Sequence, residues 1–449
     1  MRTLGYQCFE PPNRYGNSWR KLCFSGICKV GYSALGTNIK LYLQMRFLFY
    51  SHDGVGLGHV RRHLAISTAL AELSPNAQVL LATSVDEVSH LGLPPNVDTL
   101  KLPGLRKLAN NQYSSRRLTL PASEIRALRA NLLETAVRSF RPAVVLVDKH
   151  PFGAGGEFRV ALEAARAGGA RTSLGLRDIL DDTASVLSDW AMERLQERIP
   201  EFYDQVLIYG IQQVFNTAEE YEFPAAMVQR TKYCNYVVNR SDCSLHLHHG
   251  PHLLVEPERM DHRPIVLATT GGGEDGFDLL RTFIGAAAGS SWRGVVVAGP
   301  MLGQAELQIL EGLASQNDVK FHAFLPCLSS LFGSVDTLVC MGGYNTLIES
   351  VSQSVPTVCV PRARPRSEQL LRAQAFERLG LVRTIHPEQL TVEKLRRQIG
   401  SALETPRGRV GPGNALMFDG AQRAAAHLLE LMSEVRRNKN GHLEQMVSK

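Results

Sequence analysis

Apolar residues in this chain fall into two alternating kinds of stretch. Runs at 46–51, 78–83, 143–148, 172–176 and 206–209 read as strands, several of them apolar on both faces as strands covered by helices must be. Between them, at 61–73, 123–139 and 157–167, apolar residues recur with the period of an amphipathic helix. The pattern stops in a polar, proline-bearing stretch between Val238 and Pro264 and then restarts, with strands at 264–269, 295–298, 319–324, 337–340 and 357–360 and helices at 278–288, 344–352 and 372–379. Strand–helix alternation predicts parallel, doubly wound sheets, and the interruption predicts two of them. We therefore expect an α/β chain with Rossmann-like domains at 45–238 and 265–435, joined by a linker at 239–264. A last amphipathic helix at 420–435 closes the second domain, and a polar tail follows at 436–449. Residues 1–44 show no sustained period; we expect an extension without stable structure, with Met45 as the working initiator.

Three glycine-rich turns follow predicted strands. The first runs Ser51-His-Asp-Gly-Val-Gly-Leu-Gly-His59, so Gly54, Gly56 and Gly58 let backbone press against a ligand just before a helix. Its spacing is not that of a dinucleotide fingerprint, and no acid clearly ends the second strand, which disfavours a hydride-transferring enzyme. The second is Thr269 to Gly276, containing Gly271, Gly272 and Gly273. The third is Gly342-Gly343, and the helix after it carries Glu349 about one and a half turns in. A helix start behind glycines offers free N–H groups and a favourable dipole to a phosphate. A carboxylate at the position of Glu349 suits the two hydroxyls of a ribose; a glycine C-cap with a solvated glutamate is the plainer alternative.

The formal charge of +6 changes little in this picture. Within residues 1–44, Arg2, Arg14, Arg20, Lys21, Lys29 and Lys40 face Glu10 alone, and the rest of the chain is close to neutral. A nucleic-acid footprint would cluster on a folded face, so nucleic acid is not an expected partner. The eight scattered cysteines, two of them inside predicted strands, suit a reducing compartment, and we expect a cytoplasmic protein. No apolar run is long enough to span a bilayer, and residues 1–44 make a poor signal peptide. His246, His248, His249 and His252 lie in the linker with a spacing unlike the usual structural zinc patterns, so a solvated hinge is expected there and no metal site.

Taken in order, these turns resemble those of GT-B glycosyltransferases, and within them glycosyltransferase family 28. The resemblance covers about 45–435: Gly54–His59 is similar to the family's first glycine loop, 270–276 to the second, and 342–349 to the donor helix whose glutamate holds the nucleotide ribose. Glu368-Gln369 stands where family members carry a pair that contacts the donor sugar. The segments V-D-K-x-P-F-G-A-G-G-E at 147–157 and L-G-L-R-D-I-L-D-D at 174–182 are similar to those of a bacterial group of predicted glycosyltransferases. Two departures stand out: the helix similar to the donor helix begins Met-Gly-Gly-Tyr, and the pair is Glu-Gln where the family's N-acetylglucosaminyl transferases that complete lipid II have two amides.

The resemblance implies two Rossmann-like domains facing across a cleft, and a metal-independent hexosyltransferase that needs no cofactor beyond a nucleotide-sugar co-substrate, in the first instance a UDP-sugar. It implies donor binding by Gly271, Gly272, Gly273, Gly342, Gly343, Asn345, Glu349, Arg366, Glu368 and Gln369, with Gly56, Gly58, Arg177 and Asp178 on the acceptor side. Arg362 and Arg364 are further candidates for the diphosphate. His59 is the expected general base, with Asp148 and Asp178 as alternatives; a capping histidine and arginine-paired structural aspartates are the plainer readings. The sequence does not identify the acceptor; the polar, basic stretch 104–123 reads equally as a contact loop for an anionic lipid or polysaccharide and as a solvated connection, and a lipid-linked acceptor would bring peripheral membrane contact. An epimerase or hydrolase of the same architecture, and a non-catalytic nucleotide-sugar binder, are the competing functions.

Overall fold

The structure, a computed structural model, describes residues 45–51, 58–86, 88, 92–109, 112–239, 262–273, 275–325, 328–406 and 418–447. The extension, Gly54, Gly56 and the histidine-rich linker lie outside the described residues.

The first half contributes β1 (Met45–Tyr50), α1 (Gly58–Leu73), β2 (Ala77–Thr83), β3 (Val97–Lys101), a hairpin of β4 (Leu105–Ala109) and β5 (Gln112–Ser115), and α2 (Ala122–Phe140). Then come β6 (Val144–Asp148), α3 (Arg159–Ala167), β7 (Arg171–Arg177), α4 (Thr183–Glu193), α5 (Leu195–Phe202), β8 (Gln205–Tyr209), the short α6 (Thr217–Glu220) and α7 (Ala225–Val228), and β9 (Thr231–Tyr233). Its large sheet has the order β3-β2-β1-β6-β7-β8-β9 and every pairing is parallel. All five residues of β6 are buried, as a strand covered by helices on both faces requires.

The second half repeats the theme with β10 (Ile265–Thr269), α8 (Phe277–Ala287), β11 (Arg293–Val297), α9 (Gln304–Gln316), β12 (Lys320–His322), β13 (Thr337–Cys340), α10 (Tyr344–Ser352), β14 (Thr357–Cys359), α11 (Glu368–Arg378), β15 (Arg383–Thr384) and α12 (Val392–Leu403). The sheet order is β12-β11-β10-β13-β14-β15, again all parallel. In each sheet the chain moves outward one way from the first strand and returns to start the other way beside it, at β1/β6 and at β10/β13. These are topological switch points, where the loops at the carboxyl ends diverge and leave a crevice.

Two features depart from the sequence expectation. The stretch 104–123, read as a polar connection, contains the β4–β5 hairpin, antiparallel and irregular between Lys107 and Ala109. The closing helix, α13 (Gly420–Val447), packs on α1 rather than on the second sheet. Its Ala421, Ala424, Ala425 and Leu428 join Phe47, Phe49 and Val60 of the first half in one apolar core. That core continues through Tyr209 and Tyr236 to Tyr344 and Phe376, so apolar packing runs unbroken from one sheet to the other.

Candidate active site

The first switch point presents an imidazole and a carboxylate. Asp148 ends β6, its neighbour β1 leads toward α1, and His59 is the second residue of that helix. His59 Nδ1 lies 2.8 Å from Asp148 Oδ2. An ionised carboxylate only accepts, so the ring proton sits on Nδ1 and the Nε2 lone pair is left for a substrate. Arg62 Nη2 donates to the same carboxylate oxygen at 2.7 Å and stacks against the rings of Tyr209 and Tyr344, its guanidinium carbon 4.9 and 5.3 Å from their centroids. Burial raises the Asp148 carboxyl, but Arg62 and His59 outweigh that and hold it well below the usual range. Burial drives His59 down to about 4 against the pull of Asp148, so the ring is neutral at pH 7 and able to take a proton.

One turn along α1, His63 is fully buried, its ring 5.2 Å from that of Phe49, and neither ring nitrogen has a hydrogen-bond partner among the described residues. Burial lowers it from 6.5 to about 4. The unfolded chain therefore binds a proton that the folded one refuses between those values, and stability present above pH 6.5 is lost as pH falls toward 4. At pH 5 this costs about 2 kcal/mol. We expect His63→Leu to lose about that much less stability than the parent between pH 7 and pH 5, read from urea midpoints; parallel pH slopes for the two proteins would refute it.

The second switch point presents amides. Gly271 and Gly272 follow β10, Gly342 and Gly343 follow β13, and the two strands pair directly, with Thr269 opposite Cys340. Gly342 has φ 79°, and a Cβ there would lie 2.8 Å from Cys359 Sγ, so both conformation and space require glycine. The turn leads into α10, whose start at Gly343, Tyr344 and Asn345 lines the cleft and whose first N–H groups have no partner within the helix. Gly58, His59, Arg61, Gly271, Gly272, Gly343, Asn345, Glu349 and Gln369 all line this one cleft.

Cross-lobe bonds frame the cleft. Asn345 Nδ2 donates to the Gly58 carbonyl at 3.3 Å, and Arg61 Nη2 reaches Glu349 Oε1 at 2.8 Å. Burial pushes the Glu349 carboxyl up, opposed by Arg61. Tyr344 accepts from Val237 N and donates to the Tyr209 carbonyl, both at 3.1 Å. This gives the Met-Gly-Gly-Tyr start a physical reason: the tyrosine fastens α10 to the first sheet.

Beside the cleft, Glu368 at the start of α11 pairs with Arg177 Nη2 at 2.5 Å and with Arg362 at 3.6 Å. Burial raises its carboxyl, but Arg177, Lys149, Arg372 and Arg362 outweigh that and hold it at about 2. Gln369 Oε1 accepts from the Arg362 amide at 3.1 Å. Arg366 lies 3.9 Å from Asp181, outside the cleft lining, and Arg364 is exposed. Asp178, read from the sequence as an acceptor-side group and alternative base, is 1% exposed and paired with the fully buried Arg372 at 2.9 Å. An acceptor has no access to it there.

Arg61, Arg62, Tyr344 and Arg372 were not singled out by sequence reasoning. For the two arginines a signal existed: two adjacent cations within the first two turns of a helix oppose its dipole and call for anionic partners.

Residues 293–409 match the family model described as glycosyltransferase family 28 C-terminal domain. A curated relative, the UDP-N-acetylglucosamine–N-acetylmuramyl-(pentapeptide) pyrophosphoryl-undecaprenol N-acetylglucosamine transferase of Shouchella clausii (strain KSM-K16), is 30% identical over 128 residues, 28% of this chain. The match spans about a third of that relative's length, 34%. Among solved structures, MurG of Acinetobacter baumannii superposes with a TM-score of 0.53 at 15% identity, over 86% of this chain and 99% of that one. A UDP-glucose:anthocyanidin 3-O-glucosyltransferase in complex with UDP gives 0.52 at 14% identity, over 87% and 99%. Over most of its length, then, this chain has the GT-B fold, and residues 293–409 are similar to the C-terminal domain of glycosyltransferase family 28.

Proposed function

We propose that the chain transfers a glycosyl group, a hexose or N-acetylhexosamine, from a nucleoside diphosphate sugar to an acceptor hydroxyl. The observation that carries this reading is a single cleft with two unlike walls: a carboxylate-held neutral imidazole on one, and helix-start amides with a ribose-suited carboxylate on the other. His59 Nε2 takes the acceptor proton as the acceptor oxygen bonds to the sugar's anomeric carbon, and Asp148 stabilises the imidazolium that forms. The bond from that carbon to the diphosphate oxygen breaks, and the nucleoside diphosphate leaves against the amides of Gly271, Gly272 and Gly343. Glu349 accepts from the ribose, and Gln369 faces the donor sugar. Uridine is the base we favour, because the curated relative is named for a UDP-sugar and one structural neighbour was solved with UDP.

Incubation with UDP-N-acetylglucosamine and with UDP-glucose tests the reaction class. We expect UDP release only when an acceptor is added; free sugar or an epimer formed without acceptor would replace transfer by hydrolysis or epimerisation.

A lipid-linked acceptor is supported by the surface beyond β5, where Arg116, Arg117, Leu118 and Leu120 are all exposed. Basic and apolar side chains side by side suit an anionic bilayer. Among the described residues no helix is long and apolar enough to cross a membrane, so contact would be peripheral. We expect co-sedimentation with phosphatidylglycerol vesicles, lost in Leu118→Glu/Leu120→Glu. Equal sedimentation of the two proteins would turn the proposal toward a polysaccharide acceptor.

A further inference from the structure

We propose that Arg61 is a two-position cation, which holds the ribose-binding carboxylate of Glu349 in the free protein and moves onto the diphosphate when a nucleotide binds. The inference rests on the nucleotide-sugar reading above and adds a residue to it. Arg61 belongs to α1, on the first sheet's side, yet its guanidinium bonds Glu349 Oε1 at 2.8 Å and Ser329 Oγ at 3.2 Å, both on the second. A ribose diol delivers two hydrogen bonds to the same carboxylate. The guanidinium already sits on Oε1, so a diol closing on both oxygens of Glu349 meets it there and competes for that oxygen.

The neighbouring Arg62 has no such freedom, being buried, stacked between two tyrosines and tied to Asp148. The Arg61 side chain is 21% exposed and lines the cleft. Where it goes on release follows from the helix geometry. Asn345 is bonded to Gly58, so α1 and α10 begin side by side and both positive helix ends meet there. Helical side chains lean toward the N-terminus of their own helix, so the guanidinium released from Glu349 sweeps back toward those paired starts. A diphosphate seated on them gains a third positive partner in fork geometry.

A nucleoside lacking phosphates would have to displace Arg61 without offering it a new partner. The arrangement thus selects nucleotides over nucleosides. Calorimetric titration of the full chain, Arg61→Gln and Arg61→Lys with UDP, uridine and inorganic pyrophosphate tests this. We expect Arg61→Gln to bind pyrophosphate at least about tenfold more weakly, uridine no more weakly than the parent, and UDP with its advantage over uridine reduced about tenfold or more. Arg61→Lys should retain an intermediate pyrophosphate affinity. Pyrophosphate binding that is absent in the parent or unchanged in Arg61→Gln would overturn the inference, as would equal losses for UDP and uridine. Arg61-dependent pyrophosphate binding in a parent that takes neither UDP nor uridine would uphold the cation's role in gripping phosphate and remove the uridine nucleotide from the proposed function.

Discussion

Alanine in place of His59 is expected to lower turnover by roughly 10²–10⁴-fold while UDP binding stays within a few-fold of the parent, because general-base catalysis is lost and the amide wall of the cleft is untouched. The imidazole is 13% exposed and among the described residues has no partner on the second sheet's side, so its removal leaves the cross-lobe bonds in place. The acid limb of kcat/KM in the parent should fall near pH 4, well below an ordinary histidine, since burial lowers the ring to about 4 in the free protein. Turnover of the alanine variant within tenfold of the parent would take the base role from His59. Asp148→Asn is a poorer probe, because it also strands Arg62, which is buried and draws its ion pair from that carboxylate.

Loss of Arg372 should be the most destabilising change near the cleft, at about 3–5 kcal/mol. Arg372 is 0% exposed, donates to Asp178 Oδ1 at 2.9 Å and to the Ile179 carbonyl at 3.2 Å, and packs its guanidinium over the ring of Tyr344. Arg372→Ala therefore leaves a carboxylate enclosed between the two sheets with no counter-charge. The double variant Asp178→Leu/Arg372→Met removes both charges and should regain most of the loss, since a buried pair is worth little over an apolar pair of similar volume. Denaturant midpoints measure both. A single-variant cost below about 1 kcal/mol would mean that water reaches Asp178 and that the lobes part more readily than their contacts imply.

The sequence carried the strands and helices that define each sheet, because burial on both faces and helical periodicity are local properties of a chain. It also pointed to His59, Gly343 and Glu349, which the structure brings to one cleft, since each stands at the start or in the first turns of a helix behind a strand. Contacts between the lobes were not legible. Arg61, Tyr344 and Arg372 owe their meaning to partners across the cleft, at Glu349, Tyr209 and Asp178, and no spacing rule joins residues so far apart. Asp178 shows the same limit from the other side: from its place after a strand it reads as a base or as a paired structural aspartate, and the docking of α11, which brings Arg372, makes it the second. The β4–β5 hairpin escaped notice because residues such as Arg106, Lys107 and Gln112 hide its strand character behind polarity.

The return of α13 to the first sheet bears on how this chain divides. Ala424, Ala425 and Leu428 are completely enclosed, against α1, more than two hundred residues earlier in the chain. A fragment ending near residue 239 would lack that cover and bare an oily groove along α1, inviting aggregation during recombinant production. Supplying α13 as a separate peptide, or grafting it behind the fragment, is the direct way to obtain the first half by itself.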